Sequence, residues 1–474
     1  MNSAAALDDV LHALADDAAP DAGAAFARLT AEYLERNARG DGPVSSLRTP
    51  ADLARRFDES LPSAMRPLAD VLARIDADVL SDVNRLSHPM YMGHQVSAPL
   101  PAAIWTESLT AAINNSVAVG EMSPAGTAIE TRVLRWMCDL AGFGSAAGGT
   151  FTSGGTEATF TALLAARAQV LPGAWQDGVG DDAPIVICGE HAHYAVTRAV
   201  AQLGLGMRRV IAIPSREYCM DSDALAARLN TLSAGGTRVM AVVATAGSTA
   251  TGSFDDLDTI GRLCEARDIW FHVDGAHGAS ALLSDQHRHR LRGIERARSI
   301  AWDPHKMMLM PLGAGMLLVS NERELDAAFA QRAPYLFHGE GRVADQGVRS
   351  FLCSRPVDAL KVWVALQRYG SIGIGVLYDH LAGLAAELYR LIESRPDFEA
   401  LHAPESNILC FRHVGSDEQN RLLRERYNGS GAGWITTTVL DGRRVLRVTM
   451  MNARTTPAHL TVLLDGLAAT AAAM

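Results

Sequence analysis

The chain has 474 residues, 48% hydrophobic and 20% charged, with a formal charge of −10. That length exceeds one ordinary hydrophobic core, so two or three structural units are expected, and the composition excludes a disordered chain. The acidic balance excludes a nucleic-acid partner, whose phosphates would need a basic face.

Residues 1–84 read as an N-terminal helical segment. Helical patterns at 24–36 and 51–57 are separated by Pro and Gly breaks, and Leu68, Val71, Leu72, Ile75, Val79 and Val83 recur at helical spacing. The segment is Ala-rich with no obvious core of its own, which predicts packing onto another surface, a partner subunit included. Asp8 and Asp9 stand near its start with no basic flank ahead of an apolar run, so no signal peptide is expected. From 149 to 319, short apolar runs at 185–188, 209–213, 239–245, 269–274, 299–302 and 316–319 alternate with helical stretches at 157–170, 194–203, 222–232 and 257–267. This alternation predicts an α/β fold with a mainly parallel central sheet and helices on both faces, its ligand bound beyond the carboxyl ends of the strands. The large domain is read as 85–364. The uncharged stretch 307–319 is interrupted by Pro311 and falls short of the roughly 20 apolar residues of a membrane span, so it is read as core. Residues 365–474 read as a smaller C-terminal α+β domain: a helix, strands at 408–411, 435–439 and 445–450, then a last helix at 457–474. Six cysteines without CxxC spacing read as reduced small hydrophobes, and the cytoplasm is the expected compartment.

Four motifs carry chemistry. Ser299-Ile-Ala-Trp-Asp-Pro-His-Lys306 ends a strand, turns at Pro304 and presents a lysine beside Met307, Met308, Leu309 and Met310. Such a dry setting lowers the pKa of an amine that must attack a carbonyl, although an exposed loop lysine would look the same. Phe151-Thr-Ser-Gly-Gly-Thr-Glu157 leads into a helix whose free amides suit a phosphate, or else supplies an ordinary threonine cap. In Phe271-His-Val-Asp274-Gly-Ala276 a carboxylate stands where an apolar strand runs out; it either pairs with a cation, such as a pyridinium nitrogen, or caps the next turn. Glu190-His-Ala-His193-Tyr194 follows another strand and offers a histidine to stack on a ring. His191 and His193, or His287 and His289, lack third and fourth ligands at metal-site spacing, so no metal is expected. Together the motifs supply a phosphate cradle, a ring stacker, an acid for a ring nitrogen and an amine, all at strand ends.

On these residues the chain resembles the group II pyridoxal-dependent amino acid decarboxylases, which include glutamate, cysteine-sulfinate, diaminobutyrate, histidine and aromatic amino-acid decarboxylases. The likeness runs from about residue 88 to residue 454, and Asp-Pro-His-Lys and His-Val-Asp-Gly-Ala are its most specific parts. It implies the PLP-dependent transferase type I fold, pyridoxal 5′-phosphate (PLP) as cofactor, and a homodimer with sites at the subunit interface. It further implies that Lys306 carries the cofactor as a Schiff base, that His193 stacks on its ring and assists protonation, and that Asp274 pairs with the ring nitrogen. Ala276 would pack on the opposite face, Thr249 would lie beside the cofactor, and Ser153, Gly155, Thr156, Asp303 and His305 match phosphate-site positions. His88-Pro-Met-Tyr-Met-Gly-His-Gln95 resembles the substrate-side region of the glutamate and cysteine-sulfinate branch, which makes His94 and Gln95 substrate candidates. Arg447 matches a C-terminal pattern and would hold a substrate carboxylate through two parallel hydrogen bonds, if it is not a packing ion pair. The expected reaction is decarboxylation of a small, polar or acidic L-amino acid to amine and carbon dioxide. One departure stands out: Gly339-Glu-Gly-Arg-Val-Ala-Asp-Gln-Gly-Val-Arg349 has no tyrosine where many family members carry one, and Tyr335 lies upstream. In related proteins that loss favours oxidative deamination to an aldehyde, the alternative outcome, with another type I reaction such as transamination as a third.

Overall fold

The computed structural model describes residues 3–329 and 345–474. Its centre is a seven-stranded sheet of β1 (Gly148–Thr152), β2 (Ile185–Gly189), β3 (Val210–Ile213), β4 (Val239–Thr245), β5 (Trp270–Asp274), β6 (Ser299–Trp302) and β7 (Gly315–Val319). The spatial order is β1-β7-β6-β5-β4-β2-β3. The pairs β2–β3, β2–β4, β4–β5 and β5–β6 are parallel, and β7 runs antiparallel to both β6 and β1. The exception has a simple cause. Residues 303–314 between β6 and β7 form turns and no crossover helix, so the chain turns back. Every residue of β2, β5, β6 and β7 is buried, as strands covered on both faces must be.

The six apolar runs read from sequence all lie in this sheet. The seventh strand, β1, was not read from the sequence, because Gly148 and Gly149 dilute its apolar signal. Gly149 has a physical reason to be there: a Cβ at this position would lie 2.1 Å from the Leu317 carbonyl oxygen of the neighbouring strand. The helix Gly155–Val170 lies in the core against the sheet, and Ala158, Ala162, Leu163, Ala165 and Ala166 are fully buried along it. A second sheet has the order Phe398–Ala400, Ile408–His413, Arg443–Thr449, Thr436–Leu440. No helix among the described residues is long and apolar enough to cross a membrane.

Contacts gather the chain into two compact units, one of residues 94–412 with 447–453, the other of residues 1–93 with 413–446 and 454–474. Neither is a consecutive stretch, so the boundaries 1–84, 85–364 and 365–474 do not coincide with them. Composition shifts report local periodicity, whereas compactness is set by contacts remote in sequence. Within the second unit, Tyr91 pairs through a bridge with Trp434, and their rings stack with centroids 6.4 Å apart.

Candidate active site

The loops that leave the carboxyl ends of β1, β2, β4, β5 and β6 meet around one cavity of about 340 Å³, wholly within the larger unit. It is lined by Ser153, Gly155 and Thr156 after β1, His193 after β2, Thr249 after β4, Asp274 and Ala276 at the end of β5, and Asp303, His305 and Lys306 after β6. Ten of the thirteen residues singled out from the sequence therefore share one pocket, in the crevice where open α/β sheets bind ligands.

The Lys306 Nζ lies 3.0 Å from Asp303 Oδ2. Asp303 is almost fully buried and also stands 3.4 Å from His305 Nε2. Its backbone N–H donates to the Ala276 carbonyl (3.1 Å), and the Lys306 N–H donates to the Asp303 carbonyl (2.9 Å), so the lysine turn is tied to the end of β5. Asp274 accepts a hydrogen bond from the Ala276 N–H (3.3 Å). Burial pushes its carboxyl above the ordinary range, and the nearby Lys306 cation only partly opposes this. Burial likewise holds the His193 and His305 imidazoles below their usual pKa, so both are neutral near pH 7. The Ala195 N–H donates to His193 Nδ1 (3.3 Å), which leaves the ring proton on Nε2. Gly155 opens the helix Gly155–Val170, and a Cβ there would lie 2.7 Å from the Ala276 Cβ and 3.2 Å from Asp303 Oδ2. Only glycine lets the helix end approach this closely. Ser153 is already engaged: its N–H and Oγ both donate to Glu157 Oε2, at 2.9 and 2.7 Å.

His94, Gln95 and Arg447 do not line this cavity. His94 is exposed, Gln95 is half-buried with its Nε2 lacking a hydrogen-bond partner among the described residues, and the buried Arg447 donates through Nε to the Ala250 carbonyl (3.1 Å). Within the Gly339–Arg349 loop, residues 339–344 lie outside the described residues, as does Tyr335. Three further residues belong to the site's framework. His277 lines the cavity itself, Asn407 holds its Nε2 (2.7 Å), and the Ser97 hydroxyl donates to the carbonyls of His305 (3.0 Å) and Met310 (3.2 Å). No group of acidic, His or Cys residues among the described residues could hold a metal ion.

The donor set fits pyridoxal phosphate. Four buried polar atoms of this lining have no hydrogen-bond partner among the described residues: Asp303 Oδ1, His305 Nδ1, Thr245 Oγ1 and His277 Nδ1. Unpaired buried groups are costly, so a polar ligand is the natural complement. Free helix amides suit a phosphate, a buried carboxylate suits a pyridinium, and a primary amine suits an aldehyde.

Comparison with known proteins agrees. The profile of the pyridoxal-dependent decarboxylase conserved domain matches residues 50–414. L-2,4-diaminobutyrate decarboxylase of Rhizobium meliloti (strain 1021) is 33% identical over 87% of this chain and 84% of its own length. Cysteine sulfinic acid decarboxylase of Mus musculus is 31% identical over 90% of this chain and 87% of its own. Among solved structures, the glutamate decarboxylase domain of diaminobutyrate-pyruvate transaminase and L-2,4-diaminobutyrate decarboxylase from Vibrio parahaemolyticus superposes with a TM-score of 0.86 at 28% identity, covering 96% of each chain. The lysine turn, the buried carboxylate and the phosphate-ready helix end are therefore met in a chain that belongs to the pyridoxal-dependent decarboxylases.

Proposed function

We propose that this amino acid decarboxylase acts on a small L-amino acid with a polar or acidic side chain, releasing the amine and carbon dioxide. The observation that carries the reading is the convergence of Lys306, Asp274, His193 and the start of the helix Gly155–Val170 on one cavity. The named activities of the relatives, on diaminobutyrate and cysteine sulfinate, support the substrate class and favour amine release over oxidative deamination.

When bound, pyridoxal phosphate supplies an aldehyde for amine condensation and a cationic ring that takes up the electrons left as carbon dioxide departs. Lys306 would hold the cofactor covalently and give way to the substrate amine. The Asp274 carboxylate would keep the proton on the ring nitrogen, and the desolvation that raises its own pKa makes a cationic partner favourable there. Thr156, the amides around Gly155, and His305 would hold the phosphate, with Asp303 fixing the lysine turn beneath it and Ser153 and Thr249 at the rim. Ala276 and His193 would enclose the ring. The Lys306 amine, freed when the substrate displaces it, would carry a proton to the substrate α-carbon, with His193 assisting from its place over the ring. His94, Gln95 and Arg447 would serve the substrate's side chain and carboxylate.

We further propose a homodimer, in which residues 1–84 pack on the partner subunit. The six free cysteines fit a reducing compartment, the cytoplasm. The test is a panel of glutamate, aspartate, cysteine sulfinate, 2,4-diaminobutyrate and aromatic amino acids, with carbon dioxide and amine measured together. Stoichiometric release from a polar or acidic member is expected, and a clear preference for an aromatic one would overturn the substrate class. Lys306→Ala should remove the visible absorbance of bound cofactor and lower turnover by at least about a thousandfold, in line with the loss of a covalent catalyst.

A further inference from the structure

His277 is 3% exposed, lines the cavity beside Lys306, and has no role in the account above. Its Nε2 lies 2.7 Å from Asn407 Oδ1. The orientation of that amide is fixed, because Asn407 Nδ2 faces the Met450 carbonyl (2.8 Å) and the Met451 sulfur (3.2 Å). Both are acceptors, so the amide nitrogen must point at them and the amide oxygen at the histidine. An amide oxygen only accepts. His277 Nε2 therefore carries the ring proton and Nδ1 bears a bare lone pair. No described residue donates to that Nδ1.

We propose that Asn407 locks His277 in the Nε2-protonated neutral form so that its Nδ1 accepts a hydrogen bond from the amine in this cavity. The substrate amine would take the place of the Lys306 amine in this cavity, so a single acceptor can serve each in turn. His277 accepts the hydrogen bond without taking the proton. Full burial, with Lys306 and Arg447 as nearby cations, pushes the imidazole down to about 3, and the hydrogen bond to Asn407 only partly opposes this. A neutral acceptor orients an ammonium without neutralising it, whereas a second carboxylate there would pair with the ammonium and add charge. Asn407 is a positioning residue acting through His277.

The inference rests on the decarboxylase reading for the amine that binds, but not for the tautomer. Nitrogen-15 spectra of histidine-labelled full-length protein, cofactor-free and cofactor-loaded, should show one histidine as the Nε2-protonated tautomer throughout the folded pH range, and that signal should vanish in His277→Gln. If the signal lost in His277→Gln were instead that of the Nδ1-protonated form or the imidazolium, the proposal would be overturned. Asn407→Leu should release the lock and give a mixture of tautomers, and an unchanged tautomer would count against it. Binding of amino acids, followed by the cofactor's absorbance change, should weaken about tenfold in His277→Phe, the loss expected for one hydrogen bond to a charged donor. His277→Gln places an amide oxygen nearby and should recover most of that affinity. Wild-type binding by His277→Phe, or no recovery with glutamine, would sink the amine-acceptor role. Carbon dioxide release by the wild-type enzyme tests the parent reading separately.

Discussion

Asp274 illustrates how a site can be unfavourable to the empty protein and favourable to the loaded one. Its carboxyl is buried at the end of β5, and the loss of hydration raises its pKa above the usual carboxylate range. A raised acid contributes stability that is fully present below its unfolded-state pKa and is lost as pH rises through the folded value. As pH rises past the unfolded-state value, keeping this carboxyl buried therefore costs the cofactor-free chain stability, and a cationic ring removes that penalty. Asp274→Asn should raise the melting temperature of the cofactor-free protein at neutral pH while abolishing most of the stabilisation that pyridoxal phosphate confers. In the wild type that stabilisation is about 2.7 kcal/mol at a hundredfold excess over Kd. Thermal melts with and without cofactor decide the matter, and a variant less stable when empty but normally responsive to cofactor would contradict the assignment. Lys306 differs: its Asp303 partner is 3.0 Å away, so the cation is met before any ligand arrives.

At the scale of elements, the helix Gly155–Val170 makes the phosphate end of the site because its first residue has no side chain. Gly155→Ala would push a methyl to within 2.7 Å of the Ala276 Cβ, and overpacking of this kind costs about 1–3 kcal/mol. Cofactor affinity should fall about tenfold or more in an absorbance titration, while the far-ultraviolet circular dichroism of the fold persists. A second element-level contact is the buried Arg355–Glu130 pair, in which Arg355 Nη1 donates to Glu130 Oε2 at 2.7 Å and the helix Pro124–Leu140 is fastened to residues just ahead of the helix Ala359–Glu393. Both side chains are nearly inaccessible. Glu130→Gln leaves a buried guanidinium without its counter-charge and should destabilise by about 3–5 kcal/mol, whereas the double change Glu130→Leu with Arg355→Met should recover much of that in denaturant unfolding. Elements also explain what the sequence disclosed. Strands with unbroken apolar runs were legible because covered parallel strands need them, and His193, Thr249, Asp274, Ala276, Asp303, His305 and Lys306 were legible because each sits within a few residues of such a run, whereas Ser153, Gly155 and Thr156 were read from the helix that follows them. β1 was hidden by Gly148 and Gly149, the second of which its neighbour's backbone demands. His277, Asn407 and Ser97 were invisible for another reason: their partners lie 130 residues away for His277 and Asn407, and 208 for Ser97 and His305, distances at which no local pattern exists.

For the whole molecule, the decisive question is what covers the first helix. In Ser3–Asp17, Leu7, Val10, Leu11 and Leu14 follow the i, i+3, i+4, i+7 spacing of one helical face. All four are exposed, by 57%, 42%, 52% and 59% respectively. Leu61 and Met65 in the same unit are exposed as well. An apolar stripe of that length left to water is unfavourable by roughly 25 cal/mol for each Å² of apolar surface, and a second copy of the chain can cover it in a symmetric exchange. Light scattering should accordingly give a mass near twice the 50.6 kDa of one chain. Replacing Leu7, Leu11 and Leu14 together by aspartate should shift the mass toward one chain at micromolar concentration or below, because charges cannot be buried in an apolar contact without partners. If dimers share their sites, cofactor affinity should fall in step with the mass. A wild-type dimer that persists unchanged in the triple variant would mean that residues 1–84 do not carry the interface.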